Sequence, residues 1–212
     1  MDAHVPERVC VCGECHVNAT RFLQPELPQG ALPGIPGGPS LRDSALAQPL
    51  VLQNKRDLSM RIGFGYDSHR FGSEKPCILG GVTFPGVQGF KAHSDGDVLT
   101  HAIIDAILGA ADLGDIGSHF PDTDEKWRGA DSIELLKAVV DEVKGKGFKL
   151  GNVDATIICE KPKIRPKVDE IKAKLGGVLG CQVSVKGKTN EKMDDIGAGL
   201  GVEVHAVALL EG

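Results

Sequence analysis

Nine of the fifteen positions in residues 25–39 are proline or glycine: Pro25, Pro28, Gly30, Pro33, Gly34, Pro36, Gly37, Gly38 and Pro39. Proline removes backbone donors and glycine raises the entropy lost on ordering, so no helix or central strand survives that density. The flanking residues do not compensate, because Phe22 is the one aromatic among residues 1–59. Too little apolar surface is available there to offset chain entropy. The chain therefore divides into a disordered leader, residues 1–59, and one folded domain, residues 60–212.

Three roles for the leader can be weighed. A transit peptide, which would send the chain to a plastid, should be rich in Ser and Arg and poor in acids. Asp2, Glu7, Glu14, Glu26, Asp43 and Asp57 argue against that. Cys12-Gly13-Glu14-Cys15-His16 has the spacing of a haem attachment site, and with Cys10 it could hold zinc. Both need a surrounding fold that this composition does not supply. The reading preferred is an unstructured extension, or translation that starts at Met60.

The formal net charge is −5, which gives no basic surface for nucleic acid. No apolar run approaches the roughly 18 residues of a membrane span, and no secretory signal opens the chain. Of the six cysteines, Cys10, Cys12 and Cys15 are bunched, while Cys77, Cys159 and Cys181 are scattered singly. That is not a secreted disulfide framework, and it points to a reducing cytoplasm.

Residues 60–212 alternate strand and helix patterns. Residues 60–66 place Ile62, Phe64 and Tyr66 on one side of a strand. Residues 97–111 repeat apolar side chains at helical spacing through Val98, Ala102, Ile103, Ala106 and Ile107. Residues 132–146 form a second helix capped by Asp131, and residues 165–176 a third, admitted by Pro166 in its first turn. Residues 151–160, 181–186 and 202–209 read as strands. The pattern predicts an α/β (α+β) domain.

Asp67-Ser68-His69 lies at the end of the first strand, where positions two apart point the same way and can grip one ion together. The following helix offers Asp97, His101 and Asp105 four residues apart on one face, with His93 and Asp95 just ahead of it. One carboxylate and two neutral imidazoles make a zinc set with an open fourth position. The net +1 charge leaves such an ion able to polarise a phosphoryl oxygen. Asp97 and Asp105 read equally as partners that orient His101 or as capping and solvated acids. Glu160, Lys161 and Lys167 read as solvated, and the cysteines of the domain as packing residues.

The segments FGYDSHRF, LGGV, KAHSDGDVLTHAIIDAILGAADLGDIG, HFPDTD, GADS, GNVDATIICEKPKI and KGKTNEKM resemble, in order and spacing, the 2-C-methyl-D-erythritol 2,4-cyclodiphosphate synthase family of the non-mevalonate isoprenoid pathway. The resemblance runs through residues 60–212 and none of the leader. It implies a mixed β-sheet covered by helices on one side, assembled as a homotrimer with active sites between subunits. It also implies a phosphorus–oxygen lyase that closes a cyclic diphosphate and releases CMP from 4-diphosphocytidyl-2-C-methyl-D-erythritol 2-phosphate.

The residue roles that follow from the resemblance are these. Asp67, His69 and His101 hold zinc. His93 and Ser94 meet the substrate near its phosphates. Asp115, Ile116, Gly117 and Asp122 contact the methylerythritol part. The segment from Cys159 to Arg165, including Lys163 and Ile164, receives the cytidine. Thr189 contacts the diphosphate, and Glu191 carries a second divalent metal, magnesium or manganese.

Two departures from the family pattern stand out. Lys188 replaces a threonine, and Met193-Asp194-Asp195-Ile196-Gly197-Ala198 replaces a segment with an aromatic and an arginine at a central cavity. Asp195 and Ala198 put isoprenoid diphosphate binding in that cavity in doubt. A fused nucleotidyltransferase domain does not fit within residues 1–59. Two other functions use the same residues: a zinc phosphoesterase that adds water, and a binding module for diphosphates without catalysis.

Overall fold

The computed structural model describes residues 59–212. The expectations for the leader, including the Cys10, Cys12, Cys15 and His16 motif, lie outside the described residues. Five strands form one mixed sheet: β1 (Met60–Leu79), β2 (Val82–Phe90), β3 (Lys149–Ile158), β4 (Gln182–Lys188) and β5 (Gly201–Glu211). Their order is β2-β1-β5-β3-β4. Only β3 and β4 run parallel; every other neighbouring pair is antiparallel. The helices are α1 (Val98–Ala111), α2 (Ile116–His119), α3 (Ser132–Gly145), α4 (Val168–Leu179) and α5 (Asp194–Gly197).

The helix expected over residues 165–176 begins instead as a 3-10 turn, Arg165–Lys167, and the regular helix runs on to Leu179, where Gly180 caps it at φ 69°. Pro166 explains the tight start, since it lacks the N–H that a continuous helix would use. The sequence reading did not foresee β2, α2 or α5. β2 carries Pro85 and two glycines, so it lacks the β-branched alternation that marks a strand.

One face of the sheet is covered. Val153, Ala155, Ile157, Val204, Ala206, Ala208 and Leu210 are buried beneath the helices. α1 is apolar on nearly every side, and all of it is buried except Asp105 and Gly109. Such a helix must lie inside, and here it packs between the sheet and α3. It comes very close to β1. A Cβ at Gly63 would stand 1.9 Å from Ala106 O, and one at Gly65 would stand 1.9 Å from Ala102 O. Glycine at those two positions is thus a condition of the helix–sheet contact.

The alternation predicted for β1 is present, but its apolar side is the exposed one. Ile62 is 73% exposed, Phe64 61% and Tyr66 46%, and Val207 beside them on β5 is 41% exposed. The opposite parity, with Gly63 and Gly65, faces the core.

Candidate active site

Asp67 and His69 share the parity of Gly63 and Gly65, so their side chains emerge on the helix-covered face of β1. There they meet the first turns of α1. That helix starts where it does because Asp97 caps it, accepting from Thr100 N at 3.1 Å. Asp97 also accepts from Gly80 N at 2.8 Å and Gly81 N at 2.6 Å, in the turn between β1 and β2. The φ values of +62° and +71° at those glycines let both N–H groups converge on one carboxylate. Asp97 therefore registers α1 against β1, and its side chain is not bonded to His101. Asp105 likewise accepts from Ile116 N at 2.8 Å, which fixes the start of α2. Of the two readings left open for these acids, capping holds for Asp97; Asp105 anchors the backbone of α2, and neither side chain is hydrogen-bonded to His101.

His101 Nδ1 lies 3.1 Å from Asp67 Oδ2, and His69 Nδ1 lies 3.3 Å from the same oxygen. Asp67, His69 and His101 each present a ligand atom within 4.8 Å of the others. Burial works against charge on Asp67, but the two imidazoles beside it outweigh burial and hold its carboxyl below the usual carboxylate range. Burial also disfavours charge on His69, and Asp67 reverses that, raising its pKa. His69 Nδ1 is buried and has no hydrogen-bond partner. A buried ring nitrogen without a partner, beside a shared carboxylate oxygen, is what a divalent cation would complete. The donor set fits zinc.

The three residues line a cavity of about 630 Å³. His93, Ser94, Ile116, Gly117 and Asp122 line the same cavity, with Phe120 and Trp127 as its aromatic wall. Ser94 Oγ lies 3.2 Å from His101 Nε2, and Lys75 Nζ donates to Ser94 O at 2.6 Å. His93 Nε2 and Trp127 Nε1 are buried without hydrogen-bond partners. Asp115 is not in the wall. It caps α2 and accepts from Ser118 N at 2.8 Å and Ser118 Oγ at 2.6 Å.

A second cavity, also about 630 Å³, is lined by Cys159, Lys163, Ile164, Arg165, Lys188 and Thr189, among others. It lies at the ends of β3 and β4, and the two cavities share no lining residue. Glu191 stands next to it, accepting from Thr189 Oγ1 at 2.6 Å. Glu191, Lys192 and Asp194 all have positive φ, between 49° and 63°, so this turn is held in a conformation that side chains rarely adopt. Glu160, read from sequence as solvated, instead accepts from Asn190 N at 3.2 Å and ties the two loops together.

The sequence reading passed over Ser132. Its side chain is fully buried and lies 2.8 Å from His101 Nε2. Nothing local marks it, since a serine opening a helix is an ordinary sight; only the fold brings it to His101.

Residues 60–211 match the YgbB family model. The chain belongs to the YgbB family. Curated proteins that it resembles are named 2-C-methyl-D-erythritol 2,4-cyclodiphosphate synthase, which places this member among lyase-class enzymes. The one from Idiomarina loihiensis is 50% identical over 157 residues, covering 73% of this chain and 99% of that protein. The one from Pseudomonas aeruginosa is 54% identical over 154 residues, covering 71% and 98%. Among solved structures, the bifunctional IspDF of Campylobacter jejuni aligns with a TM-score of 0.70 at 41% identity, over 73% of this chain and 42% of that one. The IspF–CDP complex of Plasmodium falciparum aligns with a TM-score of 0.63 at 38% identity, over 72% of this chain and 96% of that one.

Proposed function

We propose that this YgbB member converts 4-diphosphocytidyl-2-C-methyl-D-erythritol 2-phosphate to 2-C-methyl-D-erythritol 2,4-cyclodiphosphate and CMP, by attack of the 2-phosphate on the β-phosphorus. The observation that carries the reading is the convergence of Asp67, His69 and His101 on the wall of the first cavity. Asp67, His69 and His101 would hold a zinc ion there, and the ion would supply Lewis acidity toward a phosphate oxygen.

The residues of the chain do the rest. The attacking group is already an ionised phosphate, so no protein nucleophile is required. The task is to bend a polyanion until two phosphates meet, which is positioning and charge neutralisation. His93 and Ser94 contact the phosphates from the loop before α1. Ile116, Gly117 and Asp122 seat the methylerythritol part, and Asp115 shapes that segment by capping α2. Cys159, Lys163, Ile164 and Arg165 receive the cytidine, and Thr189 contacts the diphosphate. Glu191 would hold a magnesium or manganese ion, which would neutralise phosphate charge.

The working unit in this reading is a homotrimer. Two features support it. The apolar strip of Ile62, Phe64, Tyr66 and Val207 is exposed on the open face of the sheet. The metal cavity and the cytidine cavity of one chain are separate, as they would be if each active site paired the halves of two neighbours. The cytoplasm is the compartment proposed, since Cys77, Cys159 and Cys181 are all free thiols. No described helix is long and apolar enough to cross a membrane.

The deciding experiment incubates the zinc-loaded chain with the substrate and follows products by phosphorus NMR. CMP and a cyclic diphosphate in equal amounts, both lost on chelation, are expected. Free phosphate would mean hydrolysis instead, and no turnover by a folded, zinc-loaded chain would mean a binding module.

A further inference from the structure

The hydrogen bonds behind His101 run in one direction. Asp95 Oδ2 accepts from Ser132 N at 3.0 Å, and Asp95 Oδ1 accepts from Ser132 Oγ at 2.5 Å. An ionised carboxylate has no proton to give, so the serine hydroxyl is the donor in that contact. Its oxygen then faces His101 Nε2 at 2.8 Å with only lone pairs. The proton between them must belong to the imidazole. Ser94 Oγ, at 3.2 Å, is a second and longer acceptor for the same N–H; it also accepts from Gly96 N at 3.2 Å.

We infer that Asp95 and Ser132 are positioning residues that lock His101 in the Nε2–H tautomer, so that its Nδ1 lone pair points at Asp67 Oδ2 and into the metal position. This rests on the zinc reading of the site. The consequence is chemical. With the first proton fixed on Nε2, the 3.1 Å contact between His101 Nδ1 and Asp67 Oδ2 becomes attractive in one of two ways, by a second proton on Nδ1 or by a cation between the two atoms. The relay prepares the site for a metal ion before it arrives. A metal-bound imidazole is also made more basic by an acceptor on its other nitrogen.

The geometry is well anchored. Ser132 is fully buried and His101 is 8% exposed, so water does not compete freely for the ring. Asp95 takes both the N–H and the O–H of Ser132, which fixes the hydroxyl rotor. Asp95 Oδ1 also accepts from Asp97 N at 3.1 Å, which joins the loop before α1 to the start of α3. The metal-facing geometry of β1 and α1 is thereby coupled to a third element that supplies no ligand.

The test is zinc affinity by chelator competition, with nitrogen-15 NMR of labelled histidine. Zinc-loaded wild type should show His101 protonated at Nε2 and bound through Nδ1. Ser132→Ala should stay folded, because the backbone N–H to Asp95 remains, and should lose roughly 10- to 100-fold in zinc affinity. Ser132→Thr, which keeps a hydroxyl, should recover most of it. Metal bound through Nε2 in the wild type overturns the inference whatever the variants do. So does wild-type affinity in a folded Ser132→Ala. A wild type that takes up no zinc overturns the metal reading itself, and the relay with it.

Discussion

Asp67 Oδ2 and His101 Nδ1 stand 3.1 Å apart, although one residue is on a strand and the other is 34 positions later on a helix. The contact exists because Gly63 and Gly65 let α1 lie directly on β1, and because Asp97 sets where α1 begins. Replacing His101 with alanine should leave the fold intact and abolish tight zinc binding. Turnover should fall roughly 100-fold or more if charge stabilisation at the phosphate is the main catalytic term. Zinc content after dialysis and single-turnover rates would check this; a fully active His101→Ala would remove the triad from the site.

If each active site pairs the metal half of one chain with the Glu191 half of its neighbour, as proposed, a mixing experiment is decisive. His101→Ala and Glu191→Gln should each be nearly inactive alone. Unfolded together and refolded at equal amounts, they should regain about a quarter of wild-type activity, because random assembly pairs an intact metal half with an intact Glu191 half at that frequency in a cyclic oligomer. Activity that stays at the level of the single variants would place both halves within one chain.

Phe64 is 61% exposed in the middle of the apolar strip on the open sheet face. Phe64→Glu should not disturb the core, since the side chain points away from it. It should break the proposed trimer by placing a charge where neighbouring chains would exclude water. Sedimentation velocity should show monomers with unchanged circular dichroism, and activity should be lost with assembly.

Asp97 receives Gly80 N, Gly81 N, Thr100 N and Thr100 Oγ1 while fully buried. Asp97→Ala leaves those donors without an acceptor and should destabilise the domain by about 3 kcal/mol or more. Asp97→Asn, which keeps one carbonyl oxygen, should lose less. Urea unfolding followed by far-ultraviolet circular dichroism would order the two.

Burial raises the Cys77 thiol from 9.0 to about 12 and the Cys159 thiol to about 11. Unfolded thiols ionise at lower pH than these buried ones. The stability they contribute is therefore complete below about pH 9 and is lost as pH rises toward 11 or 12. Thermal melts should show Tm falling as pH rises from about 9 toward 11, and the fall should be smaller in the Cys77→Ala, Cys159→Ala double variant. Both thiols should also resist iodoacetamide at neutral pH in the native state.

Much of this protein is legible in its sequence because the signals are local. Helical spacing marked α1 and α3, Asp131 marked the cap of α3, and the two-residue period put Asp67 and His69 on one side of β1. The motif resemblance added His101 as the third ligand. What local pattern does not record is which side of β1 faces the core. Ile62, Phe64 and Tyr66 have the larger apolar side chains, yet the glycines face inward, because close approach of α1 demands the absence of a Cβ there. Tertiary structure likewise decided the fate of Asp97 and Asp105, spent on backbone N–H groups of distant turns, and of Ser132, brought from the start of α3 to His101. Periodicity acts between residues a few positions apart, so the sequence alone determined α1, α3, the strands β1, β3, β4 and β5 in outline, and the cap of α3. Which buried polar groups satisfy one another across elements depends on three-dimensional packing, and only the fold settled that.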